Sequence, residues 1–331
     1  MKNILITGAS GFIGNFIVDE ALTRGYKVYA TVRKSSNIET LKTKQIEIIT
    51  LDMSDLEAMA IVFESLPRMD YVIHNAGVTK ANKDEEYFKI NRDFTRNLVQ
   101  ALGKANRVPD KILYVSSLAA YGPGKPHSSE PITELDLPNP VTKYGESKLM
   151  GEIYVREQKV APYLIIRPTA VYGPGERDIF INIKLINSGF EFFIGKHNQN
   201  LTFIYVSDLV NAMFNLIESD KVNKCYFISD GNIYSKREMG EILSREFNKR
   251  VFRLSVPLFL VKIIAYISEK VGKMQGKATA LNLPKVKELE ASNWVCDISE
   301  LKNDIAFEAK HSLASGLAET IKWYKKEGWL N

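Results

Sequence analysis

Six short runs rich in Val, Ile and Leu ("KNILITG", "KVYATV", "IEIITL", "DYVIHNA", "KILYVSS" and "YLIIRP") fall within the first 170 residues. Helical stretches alternate with them: "FIGNFIVDEALTRG", "SDLEAMAIVFESL", "DEEYFKINRDFTRNLVQALGKA" and "NPVTKYGESKLMGEIYVREQ". Strands without polar alternation must be buried on both faces, which a parallel sheet covered by helices provides. Alternating β and α elements joined by right-handed crossovers then predict a doubly wound α/β fold. After residue 173 the rhythm weakens. "YGPGERD" and "GKHNQN" read as loops, "TFIYV" and "CYFIS" as further strands, and "SKRE" (235–238) as a capping box opening another helix.

The first strand runs into "TGASGFIG" (7–14), which opens the first helix. Gly8, Gly11 and Gly14 permit a tight turn, close backbone approach to a diphosphate and close helix–strand contact, with the anion at a helix N-terminus. In this strand–loop–helix setting the pattern predicts a dinucleotide-binding Rossmann domain. A site built for NAD places an acid about 20 residues on, at the end of the second strand, to hold the ribose 2′-hydroxyl. Here no acid occurs from Gly25 through Ile38, and Arg33, Lys34, Ser35 and Ser36 occupy the spot. Cations and hydroxyls suit a 2′-phosphate, so NADP(H) is favoured and NAD(H) remains possible. Asp52, at the end of the third strand, is placed to accept from the adenine amino group. Domain boundaries follow: 1–174, with 202–230 returning to it, forms the NAD(P)-binding unit, and 175–201 with 231–331 forms a smaller α+β substrate-binding domain.

With 331 residues, 45% hydrophobic and 25% charged, the chain has the composition of an ordinary globular protein. It lacks a run of about 20 uncharged apolar residues, so no membrane partner is expected. "VPLFLVKIIAYI" (256–267) is shorter, contains Lys262, and reads as part of a buried helix or a pocket wall in preference to a membrane contact. The N-terminus enters a strand without signal-peptide architecture, and Cys225 and Cys296 form neither a metal nor a redox spacing. A cytoplasmic setting is therefore expected. The net charge of +5 is dispersed, which argues against nucleic acid and leaves a surface able to attract an anionic cofactor.

Three tyrosine–lysine pairs stand four residues apart: Tyr121 with Lys125, Tyr144 with Lys148, and Tyr266 with Lys270. On a helix this spacing places both side chains on one face. An ammonium beside a phenol favours phenolate and lowers its pKa. The glycines and proline of "YGPGK" disfavour a helix at the first pair. Spacing alone does not choose between the other two.

The glycine loop, "HNAG" (74–77), Asn91 in "KINRDFTRNL", "VSSLAAYG", "YGESK" and "RPTAVYGPG" occur in one order. Together they resemble the extended short-chain dehydrogenases/reductases, the NAD-dependent epimerase/dehydratase group, specifically through about residue 175. The resemblance selects Tyr144 as general acid/base and Lys148 as the residue that binds the nicotinamide ribose and lowers the phenol's pKa. It implies that Ser117 polarises the substrate oxygen, that Ser116 faces the sheet or the cofactor, and that Asn91 supports the active-site end of the fold. Around the cofactor it implies Ser10, backbone amides of Phe12 and Ile13, Met53 beside Asp52, Ala76 and Gly77 along the ribose, Lys80 reaching towards it, and Arg167, Pro168 and Thr169 near the nicotinamide. No metal is implied. His74 reads as packing beside the cofactor and His127 as a loop residue. A homodimer through the helices 84–104 and 140–159 is implied by resemblance.

Nucleotide-sugar members carry an arginine where "LTFIYVSDL" has Leu201. Arg177, Lys184, Lys196 and Arg237 are the other cations able to serve. "ATVRK", "TFIYVSDLV" and the 256–267 run look more like the dihydroflavonol-reductase and sterol-dehydrogenase branches, with "FEFF" (190–193) and 256–267 as an apolar pocket lining. The expectation is an NADP(H)-dependent oxidoreductase acting on a carbonyl or alcohol of a bulky small molecule. The alternatives are a nucleotide-sugar epimerase or dehydratase, and a dinucleotide-sensing regulator without turnover.

Overall fold

The computed structural model describes residues 1–195, 198–275, 279 and 281–330. Its strands, in chain order, are β1 (Asn3–Thr7), β2 (Lys27–Val32), β3 (Glu47–Thr50), β4 (Tyr71–His74), β5 (Lys111–Val115), β6 (Tyr163–Pro168), β7 (Ala170–Tyr172), β8 (Phe190–Ile194), β9 (Asn200–Leu201), β10 (Phe203–Tyr205), β11 (Lys224–Ile228), β12 (Tyr234–Ser235) and β13 (Phe252–Val256). Seven of them form one sheet in the order β11-β6-β5-β4-β1-β2-β3. Every pairing within it is parallel. The doubly wound α/β reading is thus correct. Ile4, Ile6, Val72, Ile73, Leu113, Ile165 and Ile166 are fully or almost fully buried, as a sheet with two covered faces demands.

Strand order reverses between β1 and β4. The chain leaves these neighbours in opposite directions and opens a crevice above their C-terminal ends, the place where such sheets bind ligands. The register sets Thr7 beside His74, so the glycine loop and "HNAG" face each other across that crevice. Gly8 has φ +69°, and a Cβ there would lie 2.8 Å from the Ala76 backbone. A Cβ on Gly14 would lie 2.0 Å from the Gly8 carbonyl oxygen, so the helix Phe12–Thr23 rests against the loop at a distance open only to glycine.

β11 brings the chain back to the sheet beside β6, and the helix Val206–Glu218 packs against Phe12–Thr23. A second core gathers Tyr172, Ile183, Ile186, Leu243, Leu317, Ile321 and Tyr324. Leu201 packs against this core and pairs through β9 with Tyr234. The capping box at 235–238 forms by half. Glu238 accepts from the Ser235 backbone N–H at 3.1 Å, but the helix begins at Glu238, leaving the Ser235 side chain outside its first turn.

The apolar run at 256–267 is not buried. It belongs to the helix Leu258–Gln275, which buries a narrow stripe including Val261 and Ala265 and exposes Phe259, Ile263, Ile264 and Ile267. "FEFF" lies outside the cavity above the strand crossover: Phe190 and Phe192 are exposed on β8, while Glu191 turns inward to Arg253 at 3.0 Å. Periodicity could not reveal this, because no element among the described residues covers these apolar faces.

Candidate active site

A cavity of about 760 Å³ lies above the strand crossover. Gly8, Ser10, Gly11, Phe12 and Ile13 form one rim; Asn75, Ala76, Gly77 and Val78 form the opposite one. The helix starting at Phe12 has no side-chain cap and no acid in its first turn, so its leading amides are available to an anion. Thr31, Arg33 and Ser36 line the end expected to hold the adenosine, with Leu51 and Met53 as its floor. This donor set and the glycine cradle fit a dinucleotide. Lys34 is exposed and does not line the cavity. Asp52 does not line it either; its carboxylate accepts from the Ser54 N–H at 2.9 Å and hydroxyl at 2.7 Å.

β5 ends at Val115, delivering Ser116 and Ser117 to the floor of the crevice. Tyr144 and Lys148 stand on the helix Lys143–Glu157, one turn apart and both on the cavity. Thr142 caps this helix, accepting from the Gly145 N–H at 3.1 Å. Gly145 is obligatory, because a Cβ there would sit 2.2 Å from the Ala119 carbonyl oxygen. That approach draws the loop after β5 onto the helix Lys143–Glu157 and brings Ser117 within hydrogen-bonding reach of the Tyr144 hydroxyl. The other pairs are excluded by position. Lys125 pairs with Glu130 at 2.9 Å, and Lys270 lies over the exposed Tyr266 ring, 5.5 Å from its centre.

Asn91 is fully buried in the π-helical turn Phe88–Asp93. Its Oδ1 accepts from the Val78 N–H at 2.8 Å, and its Nδ2 donates to the Val78 carbonyl at 3.0 Å and to Ser147 Oγ at 2.9 Å. It thereby fastens the loop after β4 to the helix Lys143–Glu157, next to Lys148. His74 is buried and neutral, bridging Thr7 at 2.7 Å and Thr95 at 2.9 Å; burial, with Lys148 adding to it, takes its pKa down to about 3.

On the protein's own groups, the expected depression of the Tyr144 pKa is reversed. The Tyr144 side chain is half-buried in the cavity wall. That burial pushes the phenol up to about 12, partly offset by Ser117. Burial likewise brings Lys148 down to about 7, against the pull of Glu152. Its Nζ donates to the Val115 carbonyl at 2.5 Å and lies 4.3 Å from the centre of the Tyr114 ring. Burial is the largest influence on each of the two groups.

Pro168 and Thr169 line the cavity, whereas Arg167 does not. The Arg167 guanidinium is fully buried under the site, bonded to Glu152 at 2.7–3.0 Å and paired with Glu134. It lies 4.3 Å from the centre of the Tyr121 ring and 5.1 Å from that of Phe227. Ser116 donates to Glu152 and so belongs to the same buried network. Alternation along β6 turns Arg167 to the face opposite Pro168. Lys80 lines the cavity but pairs with Asp178, a link between the loop after β4 and the helix Asp178–Asn187.

Further wall residues carried no recognisable signal in the chain. Tyr87 lies 6.4 Å from Tyr144, ring centre to ring centre. Glu176, Leu281, Asn282, Pro284 and Glu288 close the far side. Glu288 accepts from Thr142 Oγ1 at 3.2 Å, tying this distant segment to the start of the helix Lys143–Glu157. Leu201, Arg177, Lys184, Arg237 and His127 do not line the cavity, and Lys196 lies outside the described residues. Among the described residues no His, Cys, Asp and Glu side chains gather as a metal site.

Residues 4–229 match the model of the NAD dependent epimerase/dehydratase family. The chain belongs to that family. It is an NAD(P)-dependent oxidoreductase of the extended short-chain type. It is 27% identical to the UDP-glucose 4-epimerase of Vibrio cholerae, covering 97% of this chain and 95% of that one. It is also 24% identical to the ceramide reductase of Caulobacter vibrioides, covering 99% and 96%. A crystal structure of UDP-glucose 4-epimerase with UDP-glucose from Thermotoga maritima shares the fold, with TM-score 0.78, 22% identity, and 98% and 99% coverage.

Proposed function

We propose that this enzyme reduces or oxidises a carbonyl or alcohol on a bulky, largely uncharged small molecule and prefers NADP(H). The carrying observation is the charge balance around the substrate half of the cavity. Lys80 pairs with Asp178, Lys143 with Glu146 at 2.8 Å, and Lys285 with Glu288 at 2.8 Å. Glu176 adds a further carboxyl there. A diphosphate would meet these acids and would have to displace one to gain a cation, at a desolvation cost. Val171, Ile181, Leu281, Pro284 and Leu289 offer apolar wall instead.

In this reading Tyr144 donates a proton to the carbonyl oxygen, or takes one from the alcohol, and Ser117 holds that oxygen. Lys148 steadies the ribose side, and Asn91 positions the helix that carries both. A bound nicotinamide dinucleotide supplies the two-electron donor or acceptor and, when oxidised, a positive charge that favours phenolate. A homodimer through 84–104 and 140–159 is supported by Met150 and Ile153, which remain exposed on the helix Lys143–Glu157. The second reading, a nucleotide-sugar epimerase or dehydratase, is favoured by the identity to the Vibrio cholerae enzyme over nearly the whole chain.

A thermal-shift screen of the NADP-loaded protein separates the two. Specific ligands raise the melting temperature by mass action, so aromatic ketones and steroids are expected to stabilise it more than UDP-, GDP- or dTDP-sugars. Saturable stabilisation by a nucleotide sugar at micromolar levels, with none from the ketones, would overturn the uncharged-substrate reading. Arg33→Asp tests cofactor choice. It removes a charge-assisted hydrogen bond and adds repulsion, so NADPH affinity should fall by roughly tenfold to a hundredfold while NADH gains relative ground. A wild-type preference for NADH in parallel titrations is the result that rules out this assignment.

A further inference from the structure

The helix Leu258–Gln275 turns its apolar side outward. Phe259 is 63% exposed, Ile263 51%, Ile264 53%, Tyr266 52% and Ile267 55%, whereas the stripe facing the protein includes little more than Val261 and Ala265. The ribbon beneath it repeats the arrangement. Phe252 and Leu254 of β13 are exposed, and they stand in register with the exposed Phe190 and Phe192 of β8. Single exposed apolar residues need no explanation, but a continuous helical face of them does.

The charge of the same segment identifies what covers it. From 249 to 275 the chain carries Lys249, Arg250, Arg253, Lys262, Lys270 and Lys273 against the single acid Glu269; acids from outside the segment pair with two of these cations, Glu191 with Arg253 and Glu290 with Lys262 at 3.5 Å. No described helix is long and apolar enough to cross a membrane. An amphipathic helix with aliphatic and aromatic residues on one side and an excess of cations lies in the plane of an anionic bilayer, its apolar face at the headgroup–acyl boundary. A protein partner of matching shape would have no equal need for the cations. The helix also adjoins the site. It packs on the helix Leu283–Glu290, which supplies Pro284, Lys285, Glu288 and Leu289 to the cavity wall.

We propose that the outer face of Leu258–Gln275 docks the enzyme peripherally on anionic membrane lipid, setting the cavity wall beside the bilayer. This revises the expectation of no membrane contact, which rested on the lack of a spanning run and on reading 256–267 as buried. It stands independently of the substrate reading.

The test is co-sedimentation of the full chain with phosphatidylcholine vesicles and with phosphatidylcholine–phosphatidylglycerol vesicles. Wild-type protein is expected to bind the anionic vesicles, and to leave them as salt is raised. The triple variant Ile263→Gln, Ile264→Gln, Ile267→Gln should lower the partition coefficient by about tenfold or more. Lys262→Gln should lower it by about fivefold on anionic vesicles and leave the neutral ones unchanged. The substituted isoleucines are exposed, and unchanged NADPH binding by each variant certifies the fold. Wild-type protein remaining in the supernatant with anionic vesicles would refute the proposal. So would a loss of dimer mass by the triple variant in analytical ultracentrifugation without any vesicle binding by the wild type, since a second copy would then cover the face. NADPH binding and turnover in vesicle-free solution test the catalytic reading separately.

Discussion

Tyr144→Phe is expected to lower kcat by about 10²–10⁴ while leaving NADPH affinity close to wild type. The substitution removes only the hydroxyl that Ser117 contacts and leaves the ring against Tyr87. The helix itself is held elsewhere, by the Thr142 cap, by Gly145 on Ala119, and by Asn91 on Ser147. A loss of activity without a loss of melting temperature therefore isolates the proton-transfer role. Tyr266→Phe, at an exposed site outside the cavity, is the control and should match wild type. If Tyr144→Phe retained wild-type kcat, the acid/base assignment would fall.

Arg167→Met should destabilise the fold by about 3–5 kcal/mol, because it leaves the fully buried Glu152 facing Ser116 without a counter-charge. For a chain of this size that corresponds to a drop of roughly 4–7 °C in melting temperature. Adding Glu152→Met should recover part of the loss, since a buried ion pair exchanged for packed apolar side chains is often close to neutral. The folded fraction of Arg167→Met should still bind NADPH, because Arg167 touches Glu152, Glu134, Tyr121 and Phe227 and does not line the cavity. A melting temperature equal to wild type would contradict the buried-pair account. A selective loss of NADPH affinity would restore the reading of Arg167 as a cofactor contact.

The features legible in the chain are those that local geometry dictates. Six apolar runs without polar alternation became six parallel strands; burial on both faces accounts for the composition of the inner ones, while the edge strand β3 stays exposed or half-buried. Gly8 and Gly14 were readable because a turn at positive φ and a helix set against a carbonyl oxygen admit no Cβ. Tyr144 and Lys148 share the cavity because i and i+4 share a helix face, and Ser117 reaches them from the neighbouring strand end. Tertiary packing decided the rest. It alone paired Lys80 with Asp178 and Arg167 with Glu152, brought Glu288 to Thr142, and left Ile263 and Ile267 uncovered. It also raised the Tyr144 pKa where a neighbouring ammonium predicts a fall. Sequence spacing specifies which side chains share a face. The partner of a charge, the cover of an apolar face and the water left around a phenol depend on segments far away in the chain, which meet only when the fold closes.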